Sequence, residues 1–114
     1  MYPYYIIREI FPEVKEIRFT VVDTNAWEYD RNKSFVYIPE TVSNFHIKCP
    51  YECEGGETGI WYYGIISQMV TKRVTHRQER FNCNGYERSK KRFSCEWFAV
   101  LDIEITYLQE DEIR

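Results

Sequence analysis

The chain has 114 residues, of which 44% are hydrophobic and 18% aromatic, and its formal net charge is −3. This much apolar material excludes an intrinsically disordered chain, and no apolar run approaches the about 18 residues of a membrane span. We therefore expect a single domain, 1–114, with no membrane partner.

The beginning of the chain, MYPYYIIREIF, has no basic residues ahead of its apolar part, and Arg8 and Glu9 interrupt that part early. This is not the pattern of a secretory signal peptide. The expected location is therefore cytoplasmic. In a reducing compartment cysteines are more often metal ligands or free thiols than disulfides.

The first half of the chain has the pattern of β-strands. Residues 16–22 alternate, with Ile17, Phe19 and Val21 on one face, as in a half-buried strand. After a polar, turn-rich stretch, two shorter strands are predicted at 35–39 and 44–49.

The spacing of apolar residues changes at 60–73 and predicts a helix there. Their apolar side chains recur at the spacing of one helical face: Tyr62, Ile65, Ile66, Met69 and Val70. Lys72 and Arg73 in the last turn suit the negative end of the helix dipole.

Strand patterns return after this helix. Residues 75–83 place Thr75, Arg77, Glu79, Phe81 and Cys83 on one side, and Asn-Gly at 84–85 is a strong turn signal. Residues 95–108 are the clearest strand, with Ala99, Leu101, Ile103, Ile105 and Tyr107 facing one way. The predicted fold class is α+β, a small antiparallel sheet with one helix.

Four cysteines supply the main chemical signal: Cys49, Cys53, Cys83 and Cys95. The first two are separated by three residues and the last two by eleven. Zinc takes four thiolates in a tetrahedron, and a spacer of three lies within the range of paired zinc ligands. Glycines after Cys53 would let the backbone curl so that amides point at sulfur. We predict that Cys83 and Cys95 sit on paired strands at the base of the 84–94 loop.

At these residues the chain resembles zinc-ribbon-like domains. The likeness rests on CPYEC at one side and CNG…C leading into a strong final strand at the other, and it covers residues 45–107. The resemblance implies a small zinc-bearing fold and carries no catalytic activity with it.

Other roles for the cysteines remain open at this point. All four thiols could be buried in the core, or Cys83 and Cys95 could form a disulfide on oxidation. His46 and His76 could replace a cysteine ligand, but neither has ligand spacing to one. If zinc binds, four thiolates close its coordination sphere, so a structural role is expected.

A basic segment offers the best partner hypothesis. Residues 72–92 hold eight basic and two acidic residues, and Tyr86, Phe93 and Trp97 border the four cations at 88–92. Cations beside aromatic rings are what single-stranded nucleic acid requires. The candidate contacts are Arg77, Arg80, Arg88, Lys90, Lys91 and Arg92. The sequence pI of about 5.4 argues against a dedicated nucleic-acid domain and leaves an acidic protein as another partner.

These observations predict a small non-enzymatic binding module with a structural four-cysteine metal site and a basic hairpin face that contacts nucleic acid. The alternative is a metal-free protein-interaction module. It would dock through its charge-segregated surface or through aromatic residues: Tyr2, Tyr4, Tyr5, Trp27, Trp61 and Tyr63.

Overall fold

The computed structural model describes residues 4–25, 33–50, 53, 59–83, 85 and 95–109. Its architecture is α+β, with antiparallel strands and short helices. The strands are β1 (Tyr5–Ile6), β2 (Val14–Thr24), β3 (Ser34–Tyr37), β4 (Val42–Ser43), β5 (His46–Ile47), β6 (Ile60–Trp61), β7 (His76–Asn82) and β8 (Phe98–Tyr107). The helices are α1 (Ile7–Ile10) and α2 (Tyr63–Thr71).

A four-stranded antiparallel sheet in the order β3-β2-β8-β7 forms the body of the molecule. Apolar and polar side chains alternate along its strands, and this alternation sets the pairing register. A shift of one residue in a strand would turn its apolar side chains to the other face of the sheet. Phe19 pairs with Ile103, for example, and both side chains are buried. The strands predicted at 16–22 and 95–108 are thus confirmed, with the predicted buried faces.

The helix α2 adds Ile66, Met69 and Val70 to the same core as the sheet. The Tyr107 hydroxyl on β8 lies within hydrogen-bond distance of the Met69 carbonyl, at 3.1 Å, which ties the end of the helix to the sheet. The prediction of a helix within 60–73 is confirmed for its second part. Its first part is strand β6, which pairs with β5.

One side of the sheet contributes to this core, and the other carries polar side chains. Arg18 of β2 lies opposite Glu104 of β8, and Glu104 in turn lies opposite His76 of β7. On β7, Arg77, Glu79 and Phe81 are half-buried and alternate with exposed neighbours. The strand predicted at 75–83 is confirmed, and Arg77, Glu79 and Phe81 lie on one face of it, as predicted.

A second group of short elements packs around Phe45. This residue is fully buried in a left-handed conformation with φ of 55°, and its ring contacts the rings of Tyr5, Phe11, Tyr62 and Tyr63. The pairs β1–β4 and β5–β6 carry these residues or flank them.

Two sequence predictions need correction in this region. The expectation of one helix omitted α1, a single turn whose amides at Ile7 and Arg8 bond to the carbonyls of Thr41 and Pro39. Contacts distant in sequence fix this turn, so four residues of local pattern could not predict it. The strand predicted at 44–49 is only two residues long, and Phe45 directly before it has a left-handed backbone with φ of 55°. Within the described ranges, no helix is long and apolar enough to cross a membrane.

Candidate metal centre

The four cysteines converge beyond the ends of β5, β7 and β8. Their Sγ atoms all lie within 4.8 Å of one another. The Sγ atoms of Cys49 and Cys95 are 3.6 Å apart, and those of Cys53 and Cys83 are 3.1 Å apart. A zinc tetrathiolate with bonds of about 2.3 Å has sulfurs about 3.8 Å apart. The predicted convergence is confirmed, and the cluster has the size of a metal site.

Backbone hydrogen bonds beyond the β7–β8 ladder place the second cysteine pair. The Cys83 amide donates to the Trp97 carbonyl at 2.9 Å, and the Cys95 amide donates to the Gly85 carbonyl at 2.8 Å. These bonds follow the last ladder pair, Asn82 with Phe98. Cys83 and Cys95 can therefore approach each other despite the eleven residues between them. The two chain segments that flank the loop are already hydrogen-bonded at its base, as predicted.

Gly59 brings the β5–β6 hairpin to the cluster. Its φ is +85°, and a Cβ atom there would lie 2.3 Å from the Ile47 carbonyl oxygen, so the position requires glycine. From this position the Gly59 amide donates to the Cys83 Sγ at 3.1 Å. This is the kind of amide-to-sulfur contact that we expected from the glycines directly after Cys53. Glycines 55 and 56 lie outside the described residues.

A second amide donor was not predicted from the sequence. Gly85 donates to the same Cys83 Sγ at 3.4 Å. The Asn-Gly turn signal marked this position as a turn, and a turn directly after a ligating cysteine is the pattern that could have indicated such a donor. Donors of this kind orient and stabilise thiolate ligands.

The surroundings of the sulfurs lower the pKa of one cysteine and raise the pKa of two others. Burial acts to raise the pKa of Cys83, but the amides of Gly59 and Gly85 and the Cys53 thiol outweigh it and lower the pKa. Burial, reinforced by the neighbouring cysteines, raises the pKa of Cys53 well above its ordinary value. Burial likewise raises the pKa of Cys95 to about 11. Further thiolates at this site need a cation, because buried like charges repel one another.

The alternatives for the cysteines are distinguished by geometry. Cys49, Cys83 and Cys95 are buried and Cys53 is half-buried, so three of the four thiols lie in the core and the fourth lies at its margin. All four are free thiols. Cys83 and Cys95, the pair considered for a disulfide on oxidation, are thus not bonded to each other, and the Cys83 Sγ lies 3.1 Å from the Cys53 Sγ.

Neither histidine joins the cysteine cluster. The His46 ring stacks on Trp61 with centroids 3.9 Å apart. His76 Nε2 lies 2.5 Å from Asp102 Oδ1 on the polar face of the sheet, with Glu104 close by. These positions agree with the lack of ligand spacing between either histidine and a cysteine.

The basic segment is described only in part. Arg77 contacts Glu79 Oε2 at 3.0 Å and Gln68 Oε1 at 3.1 Å, while the Arg80 guanidinium lies 4.0 Å from the centre of the Phe98 ring. The two arginines differ by an odd number of positions on β7 and thus face opposite sides of the sheet. The other predicted contacts lie outside the described residues: Arg88, Lys90, Lys91 and Arg92.

The aromatic residues divide between core and surface. Trp97, predicted to border the basic segment, is fully buried and belongs to the core. Among the residues predicted for protein docking, Tyr4 is 66% exposed and Tyr63 is 37% exposed. Tyr5 and Trp61 are half-buried, and Tyr2 and Trp27 lie outside the described residues.

The four-cysteine cluster is thus the site for which sequence and geometry agree. The zinc-ribbon resemblance gains no independent support, since no protein-family model, no curated protein and no solved structure matches this chain.

Proposed function

We propose that this chain is a non-enzymatic binding module in which Cys49, Cys53, Cys83 and Cys95 hold one zinc ion. The observation that carries the proposal is the convergence of all four Sγ atoms within 4.8 Å. Four soft thiolates in a tetrahedral arrangement suit zinc better than a hard cation such as magnesium or calcium.

The role of the ion is structural. Four thiolates leave no open position for water or substrate, which a catalytic zinc requires. Cys49 and Cys95 are 46 positions apart in the chain, and Cys53 and Cys83 are 30 apart. One ion bound to all four therefore joins three distant segments, and its binding free energy becomes folding free energy.

The test is metal analysis of protein purified without chelator, combined with thiol titration and cobalt substitution. We expect one zinc per chain and thiols that react only after chelation. Cobalt should give the visible absorption of a tetrahedral thiolate complex. Cys53→Ser, which changes the most exposed ligand of the four, should weaken zinc binding and alter that absorption.

His76→Gln is the matched control, because His76, Asp102 and Glu104 form another group with metal-ligand atoms close together. The variant should keep one zinc per chain and an unchanged cobalt spectrum. Four reactive thiols and no metal in the parent protein would refute the proposal, as would a zinc that disappears with His76 and persists in Cys53→Ser.

We further propose that the segment between Cys83 and Cys95 contacts single-stranded nucleic acid. The hydrogen bonds from Cys83 to Trp97 and from Cys95 to Gly85 close its two ends at the metal centre. Its basic residues are Arg88, Lys90, Lys91 and Arg92.

Fluorescence anisotropy with a labelled single-stranded oligonucleotide tests this second proposal. Binding should weaken steeply as salt rises, with a log–log slope of about −0.7 for each phosphate neutralised. Lys90→Glu/Lys91→Glu should reduce affinity and slope, and Arg8→Glu/Lys15→Glu, of equal charge change, should do so far less. Equal losses in the two variants would indicate nonspecific attraction, and binding only to an acidic protein would favour the interaction module.

A further inference from the structure

A second concave site lies beside the hairpin that carries Cys49. It is an open cavity of about 260 Å³ between the edge of the central sheet and β5. Its described lining residues are Phe19, Lys33, Phe35, Tyr37, His46, Ile47, Lys48 and Tyr62. Pockets for drug-sized molecules measure about 300–1,000 Å³, so this volume suits a molecule with a single ring.

The walls of the cavity are aromatic and held in place. The Phe19 ring packs edge-on against Tyr37, with centroids 5.3 Å apart, and against Tyr62, with centroids 4.7 Å apart. The hydroxyls of Tyr37 and Tyr62 are hydrogen-bonded to each other, and Ser43 Oγ lies 3.2 Å from the Tyr37 hydroxyl. Phe19 and Tyr62 are buried behind this wall, whereas Phe35 and Tyr37 are half-buried and offer ring surface to another aromatic ring with little loss of side-chain freedom.

The charged side chains among the described lining residues are both lysines. Lys33 and Lys48 are exposed and contribute to its lining, and the Lys33 Nζ lies 5.3 Å from the centre of the Phe35 ring. No acidic side chain occurs among the lining residues that the structure describes. Apolar walls with cationic groups at the opening complement a flat molecule that carries a negative charge at one end.

We propose that this cavity binds a small, single-ring aromatic anion, a carboxylate or a phosphate. The ring packs against Phe35 and Tyr37, and the anionic group faces Lys33 and Lys48. This site is separate from the metal centre in its residues and its chemistry, and the inference does not depend on zinc or nucleic-acid binding.

The test uses zinc-saturated protein and ligand-observed NMR, which detects millimolar affinities, with amide shift mapping on labelled protein. The probes are benzoate and phenyl phosphate as anions, benzamide as a neutral analogue, benzylamine as a cation and cyclohexanecarboxylate as an anion without a flat ring. The two aromatic anions should bind more tightly than the other three and shift the amides of Phe35, Ile47 and Lys48. The ratio of benzoate to phenyl phosphate affinity identifies which anionic group the site prefers.

Charge variants separate the cationic opening from the apolar wall. Lys33→Met and Lys48→Met should each weaken benzoate binding about two- to fivefold, the effect of one exposed ion pair, and leave benzamide binding unchanged. Lys72→Met is the matched control, since this exposed lysine caps the far end of α2 and should have no effect. Equal binding of benzoate, benzamide and benzylamine, shifts elsewhere in the protein, or no detectable binding would each overturn the proposal.

Discussion

Replacement of Gly59 by alanine tests how the metal centre is built. A non-glycine residue at φ of +85° costs about 1–3 kcal/mol in backbone strain. The new methyl group would lie 2.3 Å from the Ile47 carbonyl oxygen and 2.5 Å from His46 Nε2. Since one of these atoms is backbone, β5 must move away from β6, which weakens a two-residue ladder by about one hydrogen bond, or about 1 kcal/mol.

Together these effects predict that Gly59→Ala lowers the free energy of unfolding by about 2–4 kcal/mol, a large part of the usual 5–15 kcal/mol. The assay is urea unfolding at a fixed free zinc concentration, because any ligand that binds the native state shifts the midpoint. Zinc affinity should fall as well, since the Gly59 amide donates to Cys83 Sγ.

Gly64→Ala is the matched control for this experiment. Gly64 is exposed on α2, and a Cβ atom there would meet nothing within 4 Å. The same chemical change should therefore stabilise the protein by about 0.5–1 kcal/mol through helix propensity. If both variants shift the urea midpoint in the same direction, the argument that Gly59 permits the close approach to Ile47 is wrong.

Further predictions concern two hydrogen-bonded side chains and the metal. Tyr107→Phe should cost about 1 kcal/mol at neutral pH, because the hydroxyl lies 2.7 Å from the Val74 carbonyl. Burial raises the pKa of Tyr107 above its ordinary 10, so its contribution is present below pH 10 and is lost as pH rises through the folded-state pKa. Urea unfolding across this range should show the alkaline loss in the parent and a smaller loss in the variant. Thr24→Val should cost about 1–3 kcal/mol, because Thr24 Oγ1 accepts from buried Trp97 Nε1 at 3.1 Å, whereas Thr24→Ser should cost less; tryptophan fluorescence during unfolding measures both. Chelation should lower the melting temperature, and added zinc, but not calcium, should restore it.

The central sheet could be predicted because its signal is local and periodic. Ile17, Phe19 and Val21 alternate along β2, and β8 does the same over a longer run, so pattern alone gives strand and facing. The short pairs β1–β4 and β5–β6 could not be predicted in this way, since two residues carry no period. They form where the rings around Phe45 pack together, which depends on contacts distant in the sequence.

The composition of the cysteine cluster could also be predicted, but the Gly85 amide that donates to the Cys83 Sγ and the neighbouring cavity could not. Cysteine spacing and the pairing of the flanking strands indicated that Cys83 and Cys95 would meet. The donor role of Gly85 depends on a turn geometry that the Asn-Gly pair indicates only in outline. The cavity combines residues from β2, β3, β5 and the start of α2, and no single stretch of sequence contains its pattern.

The contrast between the two parts of the fold predicts where loss of metal has its effect. The sheet is held by long ladders between β2, β8 and β7, whereas β5 and β6 share only two residue pairs, and isolated hairpins of that size are marginal in water. A zinc ion bound by Cys49 and Cys53 would therefore supply stability that the β5–β6 ladder lacks.

Chelation should accordingly open this end locally before the sheet unfolds. In native-state hydrogen exchange, amides of Ile60 and Tyr62 should lose protection when zinc is removed, while those of Phe19 and Ile103 in the sheet keep most of theirs. Equal loss of protection at both places would mean that the ion stabilises the whole fold as one cooperative unit. No change at Ile60 and Tyr62 would mean that aromatic packing around Phe45, rather than the metal, holds the hairpin.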